Sequence, residues 1–339
     1  MFNISTVAAA KAPYATLAQD GAIVPGVAGM FIIGNPQGEL VTVTAKGWPK
    51  DAQSWEPAAT GAVVRTVNGK VSLPTVKGVA AVKASEAQAS IAARVSTVSG
   101  NSHATIDGKA FASILLAVVP VAAGYEKAVI SNVLLKFSPG DSVAVATDGY
   151  HLVERGMPDV NGATVPDALI DARDAKTLAA LLKAEGYPLV KVSYVDDKLT
   201  IVAGGVAYFG DDVRATFPPY ANVFPTVNES LGITVNVKAL MVAIKAATIK
   251  GAMYTTLDCG EAGIDLKTAK GDNEVSVGCN ADVPEPWRVA VNLAYLKGAV
   301  AGLGCDDVVI FPGVSKLSPV VIRPLNGDGR ALVMPVNTK

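Results

Sequence analysis

Histidine and cysteine are scarce in this sequence: His103 and His151 are the two histidines, and Cys259, Cys279 and Cys305 the three cysteines. An odd number of separated cysteines speaks against a disulfide framework and for reduced thiols. These five residues fit no familiar spacing of a Cys/His metal centre. Aromatic residues are 6% of the chain, which disfavours an aromatic-lined ligand cavity. A basic excess is missing too, with 29 Lys+Arg against 30 Asp+Glu. Any contact with nucleic acid must therefore come from where the charges sit. Long hydrophobic runs are absent: the longest, Phe111 to Gly124, is too short to span a bilayer and contains Pro120. The first residues, MFNISTVAAAKAPYA, lack a basic region followed by a long apolar stretch. The expectation is a soluble, cytoplasmic protein with no membrane partner.

The common catalytic signatures are missing as well. No G-x-x-x-x-G-K-[ST] loop occurs, and the GKA at 108–110 has neither the upstream glycine nor the following hydroxyl. No G-x-G-x-x-G opens a helix, and there is no G-x-S-x-G elbow. In ATDGY (146–150), Asp148-Gly149 is a tight-turn pair. Asp211-Asp212 has no companion cluster and reads as a solvated loop. The sequence nominates no catalytic residue, no cofactor and no metal ion.

What the chain has is apolar residues, half of its 339, rich in valine and alanine. That is ample for a core and argues against disorder. It also has a weak internal repeat. A short apolar strand runs into an alanine-rich helix, and alternating strands follow. The clearest helix openings are IDGKAFASILLAV (106–118), LIDARDAKTLAALLKAEG (169–186), VNVKALMVAIKAA (235–247) and VNLAYLKGAVAGLG (291–304). Weaker versions are ISTVAAAKAPYATLAQD (4–20) and LPTVKGVAAVKAS (73–85). In the third, Val237, Leu240, Met241, Ile244 and Ala247 recur at three- and four-residue steps on one helix face. KVSYVDDKLTIVAGGVAYFG (191–210) alternates like strands, with Asp196-Asp197 at a hairpin turn. Val308 to Phe311 and Val320 to Pro324 read as further strands. The expected fold class is α+β: three domains of two β-α-β-β-β half-repeats, spanning 1–101, 102–228 and 229–339.

The charges are distributed unevenly. Helices expected at 4–19, 75–85, 106–119, 170–186, 236–250 and 291–303 hold Lys11, Lys77, Lys83, Lys109, Arg173, Lys176, Lys183, Lys238, Lys245, Lys250 and Lys297. Against these eleven bases stand four acids, Asp107, Asp171, Asp174 and Glu185. The helices thus carry a surplus of seven positive charges in a chain of net charge −1. If all helices lie on one side of a curved sheet, that side attracts phosphates without reading sequence, and the outer side repels them.

Three segments, in order, resemble the bacterial DNA polymerase III beta subunit, the beta sliding clamp. They are ISNVLLKFSPGDSVAVATDGYHLVERGMP (130–158), ATFPPYANVFP (215–225), and the tail pair VNLAYLKGAV (291–300) with LVMPV (332–336). The match covers roughly residues 102–339, and the first hundred residues fit only in outline. The resemblance implies a non-enzymatic, head-to-tail homodimer ring of DNA-clamp domains, with helices lining its interior and sheets outside. Double-stranded DNA would be held topologically. DNA polymerase and clamp loader would dock by short linear peptides in a hydrophobic groove between the second and third domains. Carried over, that groove comprises Ile130, Thr147, Gly149, Tyr150, His151, Leu152, Pro218, Val223, Leu317, Val320, Leu332, Val333, Met334, Pro335 and Val336. Tyr150 and His151 replace a His-Arg pair of the family, Asn222 stands where a basic residue is frequent, and Asn337 to Lys339 extend the tail. Such divergence fits a phage-borne as well as a chromosomal member. The alternative is a non-catalytic structural or assembly protein of repeated β-rich domains.

Overall fold

Each clear helix opening places an aspartate or asparagine directly after an isoleucine or valine: Ile106-Asp107, Ile170-Asp171, Val235-Asn236 and Val291-Asn292. The apolar residue ends a buried strand, and the short polar residue caps the helix by accepting orphan N–H groups. In the computed structural model, Asp107 accepts from Ala110 N at 2.7 Å and Asp171 from Arg173 N at 2.8 Å. Asn236 accepts from Ala239 N at 3.2 Å, and Asn292 from Ala294 N at 2.8 Å. The helices are α1 (Gly108–Val118), α2 (Ala172–Glu185), α3 (Val237–Ala246) and α4 (Leu293–Leu303). One strand precedes each helix and three follow it, with an added two-residue strand (Asn161–Gly162, Ala281–Asp282) after α1 and α3, giving four β-α-β-β-β half-repeats. The fold class is α+β, as the repeat predicts.

The structure describes residues 21–25, 29–33, 54–57, 63–67, 70–72, 80–82, 103–124, 129–157, 160–185, 189–195, 198–204, 206–210, 216–271, 273–315 and 317–338. The expected helix 4–19 and the candidates Lys11, Lys77 and Lys83 lie outside them. Two expectations need correction. Ala80–Val82, inside the expected helix 75–85, is a strand paired antiparallel with Gly21–Ile23. There the pairing of a short Ala/Val run on a sheet outweighs alanine's helix propensity. Helix α3 stops at Ala246, so Lys250 stands in the turn beyond it. The Thr248 hydroxyl donates back to Ile244 O at 2.8 Å, and Gly251 takes φ 78°, closing that turn.

The chain divides into two compact units. The first comprises Met1–Val119, Leu134–Ser142 and Met157–Ala215; the second, Pro120–Val133, Val143–Gly156 and Thr216–Lys339. In the first, strands 161–162, 103–107, 189–195, 198–203, 206–210, 29–33, 21–25 and 80–82 follow one another across one sheet. Val195 pairs with Lys198 on either side of the expected Asp196-Asp197 turn. Helices α1 and α2 pack on each other, and the buried Phe111 meets Phe137 edge-on at 5.9 Å. Asp174 is fully buried in α2 and accepts from the Tyr208 hydroxyl at 3.3 Å.

The second unit carries the groove residues. Its larger array runs Val143–Thr147, His151–Gly156, Gly329–Val333, Val320–Pro324, Asp307–Phe311, Ile233–Asn236 and Ala281–Asp282, every neighbour antiparallel. A four-stranded sheet holds Asn273–Cys279, Gly263–Lys270, Thr255–Gly260 and Trp287–Val291. Helix α4 buries Leu296, Ala299, Val300 and Leu303 against the larger array. Each buried leucine contributes about 2 kcal/mol. Gly298 and Gly302, one turn apart, bring α4 close to the 151–156 strand. A Cβ on Gly298 would lie 2.9 Å from His151 Nε2, and one on Gly302 2.8 Å from Val153 Cγ2. Among the described residues no helix is long and apolar enough to cross a membrane.

Candidate peptide groove and helix faces

The ATDGY segment builds one end of the site. Thr147 and Leu152 pair across the 143–156 hairpin, with Gly149 at φ 94° in its turn. The Asp148 carboxylate accepts from Tyr150 N at 2.8 Å and His151 N at 2.9 Å, and lies 2.8 Å from His151 Nδ1. A carboxylate only accepts, so the His151 proton resides on Nδ1. Burial alone would raise the Asp148 carboxyl; the hydrogen bonds from His151 and Tyr150 overcome it and hold the group below its ordinary range. The Thr147 hydroxyl donates to His151 O at 2.7 Å and accepts from Gly149 N at 3.0 Å, so the turn is bonded from both sides.

Strand alternation sorts the neighbouring residues into two faces. His151 and Val153 meet the glycines of α4. Val333 and Val320 share the His151 row, and both are fully buried, so their role is packing. Leu152 points the other way, in one row with Thr147 and Leu332. Two residues along that face lie Glu154 and Arg330. Arg330 Nε donates to Glu154 Oε1 at 2.7 Å and Nη2 to Oε2 at 3.3 Å. The Arg330 guanidinium also sits 4.1 Å over the Phe224 ring. That stack fastens the 216–228 segment, which carries Pro218 and the half-exposed Val223, to the Leu152 face.

The tail joins the same end. Met334 N donates to Tyr150 O at 2.9 Å, Pro335 bridges to Val291, and Val336 N donates to Ala290 O at 2.8 Å. Met334, Pro335 and Val336 are half-buried. Ile130 O accepts from Ala123 N at 3.0 Å, and the same N–H reaches Thr147 O at 3.2 Å. Ser315 and Ser318, with hydroxyls 2.8 Å apart, shape the loop that leaves Leu317 61% exposed. Sequence reasoning missed Tyr295, in the first turn of α4. Its ring is stacked with Tyr150 at 5.8 Å and with His151 at 4.7 Å. The YL of the quoted tail segment held the signal. A separate cleft of about 540 Å³ lies beside the tail, lined by Thr256, Arg288, Val289, Ala290, Val336, Asn337 and Thr338. It shares only Val336 with the groove residues.

Lys109, Lys176, Lys183, Lys238, Lys245 and Lys297 are all exposed on their helices, and Lys250 is exposed in its turn. Helices α1, α3 and α4 contain no acidic residue, and Asp174 of α2 is buried. Arg173 differs: its guanidinium is forked onto Asp171 at 3.0 and 2.9 Å, which offsets its charge. Among the described residues no group of three or more His, Cys, Asp or Glu could hold a metal ion. Burial first, then Asp258 and Asp265, pushes the Cys259 thiol up to about 12, far from a nucleophilic thiolate.

No protein-family model matches the chain, and no curated protein matches it. Solved structures do match. The DNA polymerase III beta subunit of Thermotoga maritima is 16% identical with a TM-score of 0.65, over 99% of this chain and 96% of that one. The DNA polymerase sliding clamp of Bacillus subtilis is 15% identical with a TM-score of 0.65 over the same shares. The DNA polymerase III beta chain of Streptococcus pneumoniae is 15% identical with a TM-score of 0.64, over 95% and 92%. The chain shares the fold of these proteins over nearly its whole length.

Proposed function

We propose that this chain is a DNA sliding clamp: a non-enzymatic, cytoplasmic protein of three clamp domains, 1–101, 102–228 and 229–339, closing head-to-tail into a homodimer ring on duplex DNA. The fold shared with beta subunits across 95–99% of the chain carries this reading. The exposed lysines of α1–α4 support it. On each helix they supply a positive face, with no acidic residue in the helix bodies of α1, α3 and α4, suited to phosphates of any sequence. For ring closure we assign the strand Asn273–Cys279, one of the two outer strands of its four-stranded sheet.

DNA polymerase and clamp loader dock, in this reading, in a slot lined by the ATDGY turn, the 216–228 segment, the Leu317 loop and the Met334–Val336 tail. Half-buried aliphatic groups and a methionine give an adaptable apolar slot for a few large anchors of a peptide. The test is retention on nicked circular DNA after assembly by a clamp loader. Protein that co-elutes with circles and is released on linearisation supports the ring; equal loss from circles and linear DNA refutes it. Changing Lys238 and Lys245 to Glu shortens retention, most at low salt.

A further inference from the structure

We propose that the paired faces of Tyr150 and Tyr295 form a platform that selects an arginine side chain in the partner peptide. This rests on the reading of the neighbouring slot as a peptide site. The two rings are nearly parallel, 5° apart in tilt, with centroids 5.8 Å apart. His151 stacks on Tyr295 at 4.7 Å and 18°. Tyr150 is nonetheless 55% exposed, so much of an aromatic surface already ordered by stacking faces solvent. It stands on the turn that receives Met334, beside the apolar residues of the slot.

Aromatic faces carry negative electrostatic potential and attract planar cations, arginine above lysine. The field here has the same sign. Burial first, then the charge of Asp148, raises the Tyr295 hydroxyl, so Asp148 makes the platform more negative. The carboxylate is fixed in the turn that carries Tyr150 by its bonds to Tyr150 N, His151 N and His151 Nδ1. A guanidinium laid on Tyr150 gains from both the ring and the carboxylate, and the pre-stacked rings lose little freedom on binding. An acidic side chain at that position meets repulsion from both.

The test uses the full-length protein and fluorescein-labelled decapeptides with leucine and phenylalanine anchors. Each flanking position carries in turn arginine, lysine, citrulline or alanine, and binding is read by anisotropy. At one flanking position arginine binds about fivefold tighter than alanine, the size of a partly exposed cation–π contact. Citrulline, flat but neutral, loses that gain. Tyr150→Ala abolishes the arginine preference, so that the arginine and alanine peptides bind this variant equally, and Tyr150→Phe keeps the preference. Arginine preference surviving in Tyr150→Ala, or citrulline binding as tightly as arginine, overturns the platform while the groove stands. If no peptide of the series binds the wild type, the groove reading itself fails and the platform with it.

Discussion

Replacing Arg330 by alanine tests whether the 216–228 segment is held on the groove face by one side chain. Three losses coincide there. The guanidinium 4.1 Å over Phe224 contributes about 1 kcal/mol. The fork to Glu154 at 2.7 and 3.3 Å contributes about 1 kcal/mol, since both partners are partly screened by solvent. Removing the arginine also strands the Glu154 carboxylate, whose side chain is only 14% exposed, costing roughly 1–2 kcal/mol more. Arg330→Ala should therefore destabilise the protein by about 3 kcal/mol in urea titration. A double-mutant cycle with Phe224→Leu isolates the stack and should return a coupling of about 1 kcal/mol. In the same variants, affinity for an apolar-anchored peptide should fall further for Arg330→Ala than for Arg330→Lys, which keeps a charge beside Glu154. A coupling below about 0.3 kcal/mol, within the additivity of independent sites, would refute the claim that Arg330 holds the segment through Phe224.

Gly298→Ala places a methyl 2.9 Å from His151 Nε2; it should cost about 1–3 kcal/mol by overpacking and disturb the Tyr295 stack in near-UV circular dichroism. Met334→Ala, at a half-buried position, should cut peptide affinity about tenfold with little change in melting temperature, whereas Leu152→Ala, 3% exposed, should also destabilise by about 2–5 kcal/mol. The folded Asp148 carboxyl sits below its ordinary value, so its stabilising contribution is present above the unfolded carboxylate range and is lost as pH falls through the lower folded value. Wild type should therefore lose stability relative to Asp148→Asn below about pH 4, as measured by urea titration across that range.

The periodic features of the fold were legible in the sequence. The four clear helix openings became α1–α4, Val320–Pro324 is a strand as expected, and Val308 to Phe311 falls within the strand Asp307–Phe311. Asp148-Gly149 forms its turn because glycine accepts φ 94° there. Features set by strand partners distant in sequence, or by which way a side chain turns, were not legible. Ala80–Val82 reads as helix until its pairing with Gly21–Ile23 is seen. Arg173 counts as a free cation until Asp171, two residues earlier, turns its carboxylate onto it. Val320 and Val333 are among the carried-over groove residues, yet they occupy the packed face against α4 because alternation sends Leu152 and Leu332 the other way. Tyr295 came into view only when α4 brought its ring against Tyr150 and His151.

The capping residues carry one more consequence. Asp107, Asp171 and Asn236 are each the last residue of a strand and, at once, the hydrogen-bond acceptor that starts a helix. The joint between strand and helix thus has no slack. Inserting one residue there would move the acceptor off its N–H groups and rotate the helix by about 100° against its sheet. The loop at 312–319, by contrast, could lengthen with little penalty. In a lineage of such proteins, length variation should collect after the helices and between the later strands, and vanish at these three joints.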